Sequence, residues 1–415
     1  LSRKLGYLFL AFSAFLFFLI VIGQTFGRED FLGKENGSLR ETSSLKEPSF
    51  VKNLENDFLL QYKLFKKSTL ENGVYSYQVG NFKVFFTVLP QFQKALEREF
   101  KRFKVKYGAF VALDPKTGKV LSVVSSLKHP DLALKRSYPA ASTFKIITSA
   151  AALELGIATP NTVLKCGGLG DSCSPSVWLN SNYQVLRDFK TSFATSANPF
   201  FGNLGRLVGK KELLKFAELF GFNSSLYDFP WGVLRPPLDD YEVALLAAGL
   251  GDVRVSPFHE ALIAQTVVND GVMMKPYLVD RVVDLKTGRV YRFYPEVLRK
   301  VISPKTAKEI REMMLLTVKE GTVSRRKYFR LLSLKYPNLI IGGKSGTLTE
   351  RSYPEGRCEW FTGFFSYKGR KVAFSSVAVN GWTYYISGYE ISALAAADFA
   401  KLLKGGKVRC AFSAR

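Results

Sequence analysis

The sequence predicts an α+β domain: an antiparallel sheet flanked by helices, with a mostly helical subdomain inserted between its two halves, preceded by one transmembrane helix. Three observations predict it. Short strand-like runs cluster over residues 82–125 and return over 339–379. The stretch between them carries apolar residues mostly at helical spacing. Residues 5–23 form an unbroken uncharged run. Strands, then helices, then strands and a last helix is the order expected when a helical unit interrupts a sheet.

The first segment is LGYLFLAFSAFLFFLIVIG, preceded by Arg3 and Lys4. It is long enough for a bilayer core, which needs roughly 20 apolar residues. The basic flank reads as cytoplasmic, so the remainder is expected on the outer side of the inner (cytoplasmic) membrane, periplasmic or extracytoplasmic. A cleaved signal peptide is the competing reading, but its apolar region is usually about 7–15 residues and ends at an A-x-A-like site. Residues 1–23 are therefore expected to be an uncleaved anchor. Residues 24–79 are polar and mixed in charge, and read as a juxtamembrane linker with one short helix near 57–67. Residues 80–415 are expected to form the catalytic domain.

Within that domain, residues 82–89 read as a strand and 91–103 as an amphipathic helix. Residues 109–114 and 120–125 are apolar runs joined by Pro115-Lys116-Thr117-Gly118, a hairpin signal. A helix follows from Ser142 to near Gly156. Apolar residues at helical spacing mark 210–220, 240–248 and 257–269. Ser303-Pro304 opens another helix, with serine suited to the N-cap and proline tolerated in the first turn. Strands return at 339–349, 359–367 and 371–379, and 390–403 reads as a final helix.

Composition narrows the function. The 415 residues are 47% hydrophobic, so a sizeable core is affordable and wholesale disorder is excluded. The net charge of +24 suits an anionic surface. No Cys/His finger or basic zipper is present, so an anionic membrane face or a pyrophosphate-bearing lipid is preferred over nucleic acid. Cys166 and Cys173 flank GGLGDS, where a disulfide would contribute about 2–3 kcal/mol; Cys358 and Cys410 pair or stay free. His129 and His259 stand far from any Cys-x-x-Cys spacing, so no metal site and no cofactor is expected. Two histidines also leave little room for an imidazole-based triad.

The chemistry is carried by three short motifs. Ser142-Thr143-Phe144-Lys145 opens an apolar helical run, and residues three apart share a helix face. The hydroxyl of Ser142 then lies beside the amine of Lys145. Burial disfavours a charged lysine, and a neutral amine can activate a hydroxyl. The helix N-terminus adds unpaired N–H groups that favour negative charge on a reacting oxygen. Ser196-Ala197-Asn198 supplies a second hydroxyl, able to relay a proton, and an amide that both donates and accepts. Gly343-Lys344-Ser345-Gly346-Thr347 interrupts a strand. Its lysine and hydroxyls suit a carboxylate, and glycines in strands often mark close approach of another backbone. The N–H groups of Ser142 and Thr347 are candidates for an oxyanion hole.

These three motifs, in this order, resemble the serine active site of penicillin-binding proteins and serine β-lactamases. The chain looks most like the transpeptidase domain of a monofunctional class B penicillin-binding protein. GAFVALDPKTGKVLSVVSS, YPAASTFKIITSAAALELG, AAGLGDVRVSPFHEALIAQTVVNDG, KEGTVS and EWFTGFF also resemble family segments in family order. The resemblance runs from about residue 80 to the C-terminus. It implies a five-stranded antiparallel sheet of the serine β-lactamase/transpeptidase type and a peptidoglycan D,D-transpeptidase blocked by β-lactam antibiotics. Carried over by position, Ser142 would be the acylated nucleophile, Lys145 its base, Ser196 the proton relay and Asn198 a substrate contact. Lys344, Ser345, Gly346 and Thr347 would hold the carboxylate of the stem peptide. A polytopic membrane glycosyltransferase is a candidate partner.

Several positions depart from the family pattern. Pro139-Ala140-Ala141 replaces the usual Pro-Gly, Ser345 replaces a threonine, and Gly249-Leu250-Gly251 replaces Gly-Gln-Gly. No room is expected between anchor and residue 80 for the extended non-catalytic domain of class B enzymes. Other readings share the motifs. A D,D-carboxypeptidase has all of them, and a class D-like β-lactamase also uses S-T-F-K and K-S-G. A β-lactam sensor or an inactive scaffold in a membrane complex is the non-enzymatic alternative.

Overall fold

The computed structural model describes residues 48–135, 138–167, 178, 184–350 and 355–405. The apolar run at 5–23, and with it the anchor and its side of the membrane, lies outside them. Among the described residues no helix is long and apolar enough to cross a membrane.

The chain is ordered well before residue 80, and this corrects the expected linker from residue 48 onward. Helix α1 (Ser49–Asn56) and helix α2 (Phe58–Lys66) meet at Asp57, whose carboxylate accepts from Leu60 N at 2.7 Å and caps α2. Val51, Leu54, Phe58, Tyr62 and Phe65 recur at intervals of three and four and are all buried. Phe58 packs edge-on against Phe229 and Phe258, with ring centroids at 5.1 and 4.9 Å. Gln61 links these helices to the body of the domain. Its amide donates to Leu54 O at 2.6 Å and its carbonyl accepts from Leu278 N at 2.7 Å. Strands β1 (Thr69–Glu71), β2 (Val74–Val79) and β3 (Phe82–Phe86) follow.

Helix α3 (Pro90–Arg102) presents Phe92, Leu96 and Phe100 on one face. Strands β4 (Tyr107–Leu113) and β5 (Val120–Ser125) form the expected hairpin, its turn held by Asp114 Oδ1 accepting from Lys116 N and Thr117 N at 2.9 Å. A tight turn, Ala141–Phe144, leads into helix α4 (Lys145–Glu154). Helices α5 (Phe189–Thr195), α6 (Asn198–Val208), α7 (Lys210–Leu219), α8 (Asp240–Ala248) and α9 (Pro257–Val268) complete the helical region. Strands β6 (Val279–Asp284) and β7 (Val290–Arg292) then join β1–β3 in an antiparallel sheet of order β1-β2-β3-β6-β7. The sequence reading missed this second sheet.

After helices α10 (Pro304–Lys319) and α11 (Lys327–Lys335) come the long strands β8 (Ile340–Glu350), β9 (Gly356–Tyr367) and β10 (Arg370–Asn380), then helix α12 (Gly388–Lys404). The main sheet is five-stranded and antiparallel, in the order β8-β9-β10-β4-β5. Strand alternation gives it two apolar faces. Phe110, Phe365 and Phe374 join Phe92 of α3 and Phe399 of α12 on one side. Val111, Ala373 and Val377 join the cluster containing Phe258 and Leu262 of α9 on the other. The helical region is thus inserted between β5 and β8, and β8 is an edge strand facing it. Cys166 and Cys358 are both buried, while their suggested partners Cys173 and Cys410 lie outside the described residues.

Candidate active site

The turn that carries Ser142 is anchored on both sides. Ala140 N donates to Val253 O at 3.1 Å, and Trp360 Nε1 donates to Pro139 O at 2.9 Å. Ala141 takes φ of +51°, the left-handed region that costs a residue with a β-carbon about 1–2 kcal/mol. The backbone beside it leaves no room: a Cβ on Gly249 would stand 1.9 Å from Ala141 O. Ser142 therefore sits in a strained turn just before α4, and it makes no N-capping bond. Its hydroxyl is half-buried and faces Lys145 instead.

Lys145 begins α4 and is fully buried. Its Nζ lies 2.7 Å from Ser142 Oγ, 3.3 Å from Ser196 Oγ and 2.6 Å from Asn198 Oδ1. The tripeptide Ser196-Ala197-Asn198 straddles the α5–α6 junction. Ser196 closes α5 with φ of +66°, a second left-handed residue that is not glycine. That conformation turns the chain sharply, and Asn198 then starts α6 behind it. The S-x-N motif is therefore a helix-to-helix corner.

From the opposite wall, Lys344 of β8 is also fully buried and donates to Ser196 Oγ at 2.8 Å and to Ser345 O at 3.0 Å. Two lysine nitrogens thus converge on one hydroxyl oxygen. A hydroxyl has two acceptor sites and one proton; with both acceptor sites turned to the lysines, the proton of Ser196 is directed away from both. Space is tight around the glycines of β8. A Cβ on Gly343 would meet the Phe361 ring at 2.7 Å, and one on Gly346 would press on Thr143 N at 3.3 Å. Ser345 is buried, and Thr347, opposite Glu359 in the register, is exposed.

All eight residues singled out from the sequence lie on the elements that line this seam: Ser142, Lys145, Ser196 and Asn198 in one hydrogen-bonded cluster, with Lys344 joined to it and Ser345, Gly346 and Thr347 continuing along β8. Two further residues were missed. Thr322, within the KEGTVS stretch, shares a 2.6 Å hydroxyl contact with Ser345, its backbone fixed by donation to Ala194 O. Glu260 of α9 lies 2.7 Å from Thr143 Oγ1 and is fully buried. Both depend on long-range packing that no local pattern announces. The histidines stand apart. His259 Nδ1 accepts from Gly232 N at 2.7 Å, Nε2 meets Phe220 O at 2.8 Å, and burial pushes its pKa down to about 4. His129 stacks on Tyr107 at 4.6 Å. Among the described residues no three acidic, Cys or His side chains cluster as a metal set would.

Known proteins with similar sequences carry related names. The chain is 26% identical over 325 residues to the peptidoglycan D,D-transpeptidase PbpA of Mycolicibacterium smegmatis, covering 66% of this chain and 62% of that protein. It is 29% identical over 289 residues to stage V sporulation protein D of Bacillus subtilis, covering 63% and 43%. The chain thus spans 62% or less of the length of these two relatives. The fold matches the crystal structure of PBPA from Mycobacterium tuberculosis with a TM-score of 0.64 at 24% identity, over 77% of this chain and 80% of that one. It also matches the D,D-transpeptidase domain of a peptidoglycan glycosyltransferase from Eggerthella lenta, with a TM-score of 0.63 at 23% identity over 81% and 95%. The family model described as the penicillin binding protein transpeptidase domain matches residues 108–403, from β4 to the last turn of α12. That span takes in the whole main sheet and both walls of the seam, and the chain belongs to this family.

Proposed function

We propose that the chain is a serine D,D-transpeptidase that acts on peptidoglycan stem peptides and is acylated by β-lactams. The observation that carries this is the hydrogen-bonded run Ser142–Lys145–Ser196–Lys344. One of the relatives named above carries the name peptidoglycan D,D-transpeptidase, which supports the reading.

In this mechanism Asn198 Oδ1, which can only accept, takes a hydrogen bond from Lys145 Nζ and so orients a neutral amine. A neutral Lys145 then has its lone pair free for the proton of Ser142. Ser142 Oγ attacks the carbonyl of the D-Ala–D-Ala bond as its proton passes to Lys145. The N–H groups of Ser142 and Thr347 stabilise the tetrahedral oxyanion. Ser196, whose proton is turned away from both lysines, delivers it to the departing amine of D-Ala, and Lys145 replenishes it. The C–N bond breaks, D-Ala leaves, and an ester to Ser142 remains. An amine from a second strand attacks that ester and regenerates Ser142. Lys344, Ser345 and Thr347 hold the terminal carboxylate through charge and hydroxyl donation. Thr322 keeps the Ser345 hydroxyl oriented.

The apolar run at 5–23 and its basic flank support a membrane anchor with this domain on the outer face, where peptidoglycan lies. A polytopic glycosyltransferase is the partner that such an anchored enzyme would meet in the bilayer. Incubation with a synthetic stem pentapeptide and an acceptor amine tests the activity. Release of D-Ala with a cross-linked product supports transpeptidation; release without cross-linking supports the carboxypeptidase, and rapid hydrolysis of penicillin the β-lactamase.

A further inference from the structure

Glu260 is a buried carboxyl group directly behind the nucleophile turn, and the mechanism above does not use it. Its Oε1 lies 2.7 Å from Thr143 Oγ1, and the same Thr143 oxygen lies 2.5 Å from Ala140 O. Thr143 has one hydroxyl proton and two acceptors at hydrogen-bonding distance. A carboxylate would compete with the Ala140 carbonyl for that proton and leave two oxygens in contact without one. A carboxylic acid resolves the conflict: it donates to Thr143 Oγ1, and Thr143 donates to Ala140 O. The bond from Thr143 bridges the left-handed Ala141 and closes the turn that aims Ser142 at Lys145.

We propose that Glu260 is a positioning residue for the nucleophile: as the neutral acid it heads the chain Glu260–Thr143–Ala140 that holds the Ser142 turn, and its ionisation slackens that turn. The surroundings agree. Burial lifts the carboxyl from its ordinary 4.5 to about 7, against smaller lowering by the hydroxyls of Thr143 from the turn and Thr362 from β9. It forms no ion pair among the described residues, and the Thr362 hydroxyl, which would lower its pKa, is not in hydrogen-bonding geometry with its Oε2. His259, its neighbour on α9, is committed to Gly232 and Phe220.

The sign follows from linkage. The folded state holds this proton more tightly than the unfolded chain, so the stability it contributes is full below 4.5 and is lost as pH rises through about 7. Glu260→Gln keeps a donor at the same place and cannot ionise. Glu260→Leu keeps the volume and removes the donor.

The proposal rests on the serine-acylation reading, so the experiment has two arms. In the full chain, melting temperature is measured against pH for the parent and E260Q. The parent should lose stability relative to E260Q across neutrality; parallel curves overturn the proposal, whether or not the chain binds penicillin. The second arm is the rate of labelling by a fluorescent penicillin. The ratio of parent to E260Q cancels every titration that both share. It should fall about tenfold between about pH 6 and about pH 8.5. E260L should be slow throughout, with E260Q deciding the matter if E260L does not fold. A constant ratio with diverging melting curves shows a buried acid without a positioning role, and overturns the proposal. A parent that takes no penicillin at any pH defeats the acylation reading, not the protonation of Glu260.

Discussion

Lys344 donates to Ser196 at 2.8 Å, across 148 positions of sequence. The bond joins an edge strand of the main sheet to a corner between two helices of the inserted region. It brings the second and third motifs together and, with Lys145 on the other acceptor site, leaves the Ser196 proton turned away from both lysines. Ser196→Ala should therefore slow acylation by about 10²-fold, since the departing nitrogen has no positioned acid. Labelling kinetics with a fluorescent penicillin measure this. Unchanged kinetics would mean that the proton reaches the leaving group by another route.

Lys145 must offer a lone pair. Lys145→Arg keeps the charge and much of the length, but a guanidinium stays protonated. The variant should fold, by far-ultraviolet circular dichroism, and take no label. An arginine variant that labels at the parental rate would exclude Lys145 as the base.

Gly249 lies beneath the nucleophile turn with φ of +79°, and a Cβ there would stand 1.9 Å from Ala141 O. Gly249→Ala cannot be accommodated by a side-chain rotation, because the obstacle is backbone. A stability loss of about 1–3 kcal/mol is expected, with slower acylation at temperatures where the variant remains folded. Urea unfolding followed by tryptophan fluorescence checks the first. A neutral substitution would mean that the turn moves freely.

The N-terminal helices belong to the core. Phe58→Ala should cost about 3–5 kcal/mol, the range for a buried aromatic residue. Limited proteolysis should leave residues 48–79 attached to the catalytic domain. A fragment beginning near residue 80 lacks the Gln61 bonds to Leu278 and Val279 and should not accumulate. Recovery of a folded, penicillin-binding fragment from residue 80 would return α1 and α2 to the status of a linker.

Much of this architecture was legible because the signals are local. Ser303 caps α10 ahead of Pro304, and Asp114 with Gly118 closes the β4–β5 turn, as the residue types dictate. The three motifs identified the cluster because their order is itself information. What was not legible depends on distant packing. Phe58, Tyr62 and Phe65 lie in the helix read near 57–67, but the lysines, asparagines and glutamates around it give a polar average that hid α1 and the burial of both helices. The second sheet needs β3 to find β6 nearly two hundred residues later, and β1–β3 are too short to announce a partner. Thr322 and Glu260 are single residues in stretches that read as ordinary helix or loop. Their roles arise only where the chain folds back onto Ser345 and Thr143.

The central claim is that Ser142 is the acylated residue. Intact-protein mass spectrometry of the full chain after exposure to penicillin, followed by peptide mapping, tests it most directly. The account predicts one long-lived adduct of the mass of the antibiotic, carried by the peptide containing Ser142 and absent from a folded Ser142→Ala variant. An adduct mapped to Ser196 or any other residue, or one that persists in Ser142→Ala, would contradict it.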